Sequence, residues 1–164
     1  MYVLDQLTDE TLVVLIDMQW RFTDALRYGA LDRILPNQIM VLEKAKDLGI
    51  SVAILEFDEC GQTLPVLMAK ARACHDYHVF TKNRDSGFSS HKFIEWLRKH
   101  EKVETLFLMG INAGFCVKGT ATDAIRYGYR IATNPDVIAG QSHHKSNDYI
   151  DWFSMNGSLL SLTK

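Results

Sequence analysis

The chain has 164 residues, of which 47% are apolar and 23% charged, with 10 Gly and only 3 Pro; that is room for one domain, residues 1–164, with a single core that needs no disulfide or metal staple. A formal net charge of −2 provides no global basic field for phosphate backbones or anionic lipid, so nucleic acid and membrane are not expected partners. No apolar run approaches the ~20 residues of a membrane span, and Met1 to Glu10, with Asp5, Asp9 and Glu10, lacks the basic start and apolar stretch of a signal peptide.

Leu12 to Ile16 is a continuous apolar, partly β-branched run ending at Asp17, the pattern of a parallel strand buried on both faces. Residues 36–48 open on Pro36, favourable in a first helical turn, and place Val41, Leu42, Ala45 and Leu48 at helical spacing before Gly49, so a helix with a stop signal is expected. The pattern repeats: strand Ser51–Leu55, helix Leu64–Ala73, short strand Tyr77–Thr81, then a polar turn and a helix holding Phe93, Trp96 and Leu97 with Ser89 or Ser90 as cap. Strand Thr105–Met109, helix Phe115–Tyr127 closed by Gly128, and strand Tyr129–Thr133 follow. A helix near Asn147–Met155 and a strand at Ser158–Leu162 end the series.

Strands alternating with helices of this length imply right-handed βαβ units. The expected fold is an α/β/α three-layer sandwich on an open, mostly parallel, Rossmann-like sheet of about six strands. Ligands in such sheets sit at the C-terminal strand ends. That rule singles out Asp17, the Lys82 turn, and Gly110 to Cys116.

Cys116 leaves a strand to enter a helix, where free N–H groups and the helix dipole favour a thiolate. Its bland alternative is a buried small hydrophobe. Asp17 is costly to bury unless paired, the alternatives being a helix cap or a structural ion pair. Lys82, taken alone, reads as a solvated charge. Three such residues on three strand ends of one sheet are a stronger signal than any one of them. The cysteine total of three, Cys60, Cys74 and Cys116 with no CxxC spacing, argues against a disulfide framework or structural zinc site. It fits a reducing cytoplasmic location, and Cys60 and Cys74 are expected to be structural.

Leu15-Ile16-Asp17-Met18-Gln19 with Phe22, Lys82 with Ser86-Gly87-Phe88, and Gly110-Ile111-Asn112-Ala113-Gly114-Phe115-Cys116-Val117 resemble the three signature blocks of the isochorismatase-like cysteine hydrolases, a group that includes nicotinamidases and N-carbamoyl amide hydrolases. The resemblance runs from about residue 11 to residue 140, with Gly128-Tyr129 and Asp136 in fitting places. It implies a catalytic triad of Asp17, Lys82 and Cys116, a non-proline cis peptide at Ile111–Asn112, and an oxyanion hole from the N–H groups of Asn112 and Cys116. The implied activity is hydrolysis of a C–N bond in a small amide or carbamoyl compound through a Cys116 thioester. Vinyl ether hydrolysis of the isochorismatase type, or a non-catalytic binding or oligomeric role, are the alternatives, and a redox-sensing thiol is a third.

Nicotinamidases of this family carry a metal site with an Asp-x-His motif, and Phe57-Asp58-Glu59-Cys60 has no such histidine. Asp58, His75 and His78 are ligand types at the wrong spacing, so no metal and no cofactor is expected. Phe22 matches a pocket aromatic of relatives; Trp20, Phe115 and Arg84 are further candidates for the substrate pocket, with Arg84 suited to an acidic substrate group. His143-His144 reads as a solvated helix start. The short C-terminus leaves little material for a pocket cover, which suggests a homo-oligomer in which a neighbouring subunit completes the site.

Overall fold

The structure, a computed structural model, describes residues 6–140, 146–160 and 162; His143 and His144 lie outside the described residues. Among the described residues, seven strands form one sheet: β1 (Thr11–Ile16), β2 (Val52–Phe57), β3 (Tyr77–Lys82), β4 (Thr105–Ile111), β5 (Arg130–Thr133), β6 (Ile138–Ala139) and β7 (Ser158–Leu159). Their order is β3-β2-β1-β4-β5-β7, β6 pairs with the end of β4, and every pairing is parallel. The helices are α1 (Trp20–Thr23), α2 (Ala30–Leu48), α3 (Pro65–Arg72), α4 (His91–Arg98), α5 (Lys118–Arg126) and α6 (Ser146–Asn156).

Strand order dictates the layers. From β1 the chain runs outward to β2 and β3, then returns to β4 and runs outward the other way. Right-handed crossovers therefore put α2 and α3 on one face and α4, α5 and α6 on the other. Contacts agree: α2 packs on α3, and α5 and α6 are joined by Lys118 Nζ over the Trp152 ring, 5.2 Å from its centroid. The reversal falls between β1 and β4, and the crevice beyond their ends is where open α/β sheets bind ligands. All six residues of β1 are buried, as are Leu106 to Ile111 of β4, each large aliphatic contributing about 1.5–3 kcal/mol of burial.

Several elements depart from the sequence expectation: α1 is not among the expected helices, α5 starts at Lys118 after a π-turn, β7 ends at Leu159, and two further departures have a clear physical cause. The helix expected from Pro36 begins at Ala30, with Pro36 inside it. Proline there removes the bond to the Asp32 carbonyl, but Pro36 and Asp32 both lie on the exposed side, where water satisfies that carbonyl. The buried stripe of Ile34, Gln38, Val41, Leu42 and Ala45 runs through unbroken, so packing outweighs the local defect. The two-residue β6, absent from the expected series, is too short to leave a periodic signal. No described helix is long and apolar enough to cross a membrane.

Gly110 allows the central strands to close on the site. Its φ is 135°, and a Cβ would stand 2.0 Å from the Ile16 carbonyl oxygen, with which the strand pairing leaves no room to move. Gly110→Ala is expected to destabilise the fold by at least ~2 kcal/mol, read as a lowered urea midpoint at unchanged slope; an unchanged midpoint would mean that β1 and β4 do not approach this closely.

Candidate active site

Asp17 is the first residue past β1 and adopts a left-handed backbone, φ 52°, a conformation Asp tolerates better than bulkier residues. Its N–H donates to the Leu55 carbonyl at 3.0 Å, and its carbonyl accepts the Gln19 N–H at 2.8 Å. Lys82 ends β3, two strands away, opposite Phe57. Strands are spaced ~4.8 Å apart, and only a long side chain spans the gap. Lys82 does so across the Phe57 ring, with Nζ 4.4 Å from the centroid, 2.9 Å from Asp17 Oδ2, and donating to the Arg84 carbonyl at 3.0 Å. Asp17 is 1% exposed and Lys82 2%. Neither carboxylate oxygen receives a hydrogen bond of regular geometry among the described residues; the Lys82 ammonium and the Cys116 thiol are the polar groups beside it.

Cys116, 6% exposed, comes from the adjacent strand end. After β4 the Ile111–Asn112 peptide is cis, and Ala113–Val117 winds as a π-turn ahead of α5. The Phe115 and Val117 N–H groups both donate to the Asn112 carbonyl at 3.1 Å. The Cys116 carbonyl accepts the Thr120 hydroxyl at 2.7 Å, and Thr120 Oγ1 accepts the Gly87 N–H at 2.9 Å. The cysteine turn is thereby tied to the segment that follows Lys82.

The electrostatics correct one expectation. Cys116 is not held as a thiolate by a helix terminus: burial, and then the negative charge of the adjacent Asp17, push the thiol up to about 12. Burial also raises the Asp17 carboxyl, with Lys82 opposing it. The resting pair is a thiol beside a strengthened base. The cause lies first in depth: desolvation of the sulfur within the core, with the charge of Asp17 beside it, outweighs the opposing charge of Lys82.

Above Cys116 lies a cleft of about 420 Å³ lined by Arg21, Phe22, Phe57, Asp58, Glu59, Cys60, Asp85, Asn112, Phe115 and Cys116. Phe22 and Phe115 line this cleft, and Phe22 meets Phe57 edge-on at 6.1 Å. Trp20 and Arg84 do not line the cleft. Trp20 is 56% exposed because α1 is a single turn, and residues two apart on a helix point to opposite sides; when Phe22 faces the cleft, Trp20 faces out. Arg84 is exposed and turns its main-chain carbonyl to Lys82, while Asp85 reaches the cleft instead. Cys60, expected to be structural, is half-buried on the cleft wall. Cys74 is buried between the Leu42 and Lys70 carbonyls.

Gln19 is the positioning residue that sequence reasoning passed over, although it stands within a quoted motif. Fully buried, it accepts the Phe57 N–H at 2.8 Å and donates to the Phe57 and Gly61 carbonyls at 3.0 and 2.6 Å. It clamps the turn that carries Asp58, Glu59 and Cys60. Its only signal was a polar side chain three residues past a buried strand.

The residues present do not fit a metal centre. Asp58 and His78 line a second hollow along β3, but the His78 ring packs 4.6 Å from Phe80 and 6.3 Å from Trp96, and His75 lines neither that hollow nor the cleft. Among the described residues no three His, Cys, Asp or Glu side chains gather to hold an ion.

Comparisons with known proteins follow the same lines. Among curated proteins, the nicotinamidase of Escherichia coli (strain K12) is 30% identical over 71 residues, which is 42% of this chain and only 33% of that enzyme. N-carbamoylsarcosine amidase from Thermoplasma acidophilum superposes with a TM-score of 0.73 at 19% identity, over 94% of this chain and 98% of the amidase. The YcaC gene product of Escherichia coli, described as an octameric hydrolase of unknown specificity, gives 0.79 at 19% identity, over 94% of this chain and 76% of that one. At these identities the superpositions establish the fold. The isochorismatase domain family model matches residues 11–150, a span that contains β1, the Lys82 strand and the cysteine turn, and the chain belongs to that family.

Proposed function

We propose that the protein hydrolyses a C–N bond of a small amide or carbamoyl compound, with Cys116 as nucleophile, Asp17 as general base and acid, and Lys82 as the cation that orients Asp17. The observation that carries this reading is the buried Asp17–Lys82 pair set against Cys116 at the floor of an open cleft.

The chemistry follows from the two raised groups. A thiol at about 12 does not ionise in advance, so the proton passes to Asp17 as sulfur bonds to the carbonyl carbon. The oxyanion that forms is held by the N–H groups of Asn112 and Cys116. Collapse breaks the C–N bond, Asp17 returns the proton to the leaving amine, and a thioester remains. Asp17 then takes a proton from water as its oxygen attacks, the C–S bond breaks, and the proton returns to sulfur. Lys82 keeps its protons throughout.

The test is a panel of small amides and carbamoyl compounds, with ammonia or amine release as readout and acid-quenched peptide mass mapping on any substrate turned over. An acyl adduct on Cys116 is expected, and Cys116→Ala should lose both adduct and turnover. Full turnover in Cys116→Ala would overturn the mechanism. We further propose that the catalytic unit is one domain in a homo-oligomer, as the octameric YcaC hydrolase suggests, with the exposed Trp20 and Phe115 beside the cleft as candidates for burial between copies.

A further inference from the structure

The side chains around the cleft mouth have an uneven charge. Among the described residues, Asp58, Glu59 and Asp85 line it against one basic residue, Arg21. Lys82 adds no free positive charge, because it lies beneath the cleft in its pair with Asp17. One wall also holds an acceptor in need of a donor: Asn112 Oδ1 is buried and has no hydrogen-bond partner among the described residues. A buried acceptor left this way costs about 1–3 kcal/mol, which a ligand N–H placed there would recover. The walls between these groups are the rings of Phe22, Phe57 and Phe115, and aromatic faces also attract cations.

From this arrangement we infer that the cleft selects small amides bearing a positively charged, N–H-rich group near the scissile carbonyl, with Asp58, Glu59 and Asp85 as the specificity residues. The inference rests on the thiol hydrolase reading above and reverses the acidic-substrate expectation attached to Arg84. It also bears on the mechanism. The charge of Asp85 is felt at both Asp17 and Cys116, where it disfavours their ionised forms. A cation bound beside Asp85 offsets that field and eases loss of the Cys116 proton. An anionic substrate would add to the field and make the same step harder.

Charged thiol reagents test the inference independently of turnover. Three methanethiosulfonates of similar size, ending in an ammonium, a methyl or a sulfonate, each form a disulfide with the thiol and release methanesulfinate. Rates at Cys116 are read by peptide mapping, which separates Cys60 and Cys74, and are divided by the rates of the same reagents on a small free thiol. The ammonium reagent is expected to exceed the sulfonate at least about tenfold after that correction, with the ratio shrinking at high salt. In Glu59→Gln/Asp85→Asn the ratio should fall to within about twofold, both positions being exposed and tolerant of the change. Equal or faster reaction of the sulfonate, or an undiminished ratio in the double variant, overturns the inference. On a substrate found in the amide panel, kcat/KM should rank ammonium-bearing above carboxylate-bearing analogues, and the reverse order overturns the inference even if Cys116 is acylated. Failure of the hydrolase reading would show separately, as turnover that survives Cys116→Ala.

Discussion

Asp17→Asn should lower kcat/KM by at least ~10³-fold while the protein stays folded. Asparagine keeps the size of the side chain and an oxygen for Lys82, but it cannot accept a proton from a thiol held near 12. On the proposed mechanism, the native protein should show an acidic limb in its pH profile. Burial raises the Asp17 carboxyl above the ordinary aspartate value of 3.8, so the base becomes available as pH rises through that raised value. In Asp17→Asn that limb should disappear from whatever activity remains, and thiolate formation at high pH should restore part of the rate. A variant retaining the native pH profile and rate would remove Asp17 from the proton path. Far-UV circular dichroism and a denaturation curve on the same sample separate chemical loss from unfolding.

Lys82→Met is the second large effect, and it is an effect on stability. Methionine fills the passage across Phe57 but leaves Asp17 buried without a counter-ion, and breaking a buried pair on one side costs about 3–5 kcal/mol. The cost depends on pH with a definite sign. Without Lys82, the folded-state carboxyl rises further above its unfolded value. Stability from the protonated form is then present in full below the unfolded pKa and is lost as pH rises through the folded one. The deficit relative to the native protein should be small near pH 4 and approach its full size by pH 8, measured by urea unfolding across that range. A pH-independent deficit would show that Lys82 matters through packing alone. The double variant Asp17→Asn/Lys82→Met should recover part of the loss, because no buried charge remains.

Much of this site could be read one residue at a time, since each strand end announced itself. A hydrophobic run that stops on an acid, a lysine after Val79-Phe80-Thr81, and a Gly-rich passage from strand to cysteine are local patterns, and the topology of parallel sheets places such ends together. The cleft walls were harder. Phe22 and Phe115 do line the cleft, but Trp20 was chosen where Arg21 lines it and Arg84 where Asp85 does. The direction of a side chain on a four-residue helix or a polar turn depends on what packs beneath it. Gln19 was passed over and Cys60 taken as structural for the same reason: their partners, Phe57, Gly61 and the cleft, are contributed by other parts of the chain.

The sequence by itself determined the α/β alternation, the buried central strands, the family, and the candidacy of Asp17, Lys82 and Cys116, because hydrophobic periodicity and strand-end chemistry are written into neighbouring residues. Tertiary structure alone decided the ionisation of those residues and the charge of the cleft. Burial depth raised Cys116 instead of activating it, a lysine crossed two strands to reach Asp17, and three carboxylates from two separate turns met around one opening. Desolvation and Coulomb energies depend on distances through space, which no local pattern along the chain encodes.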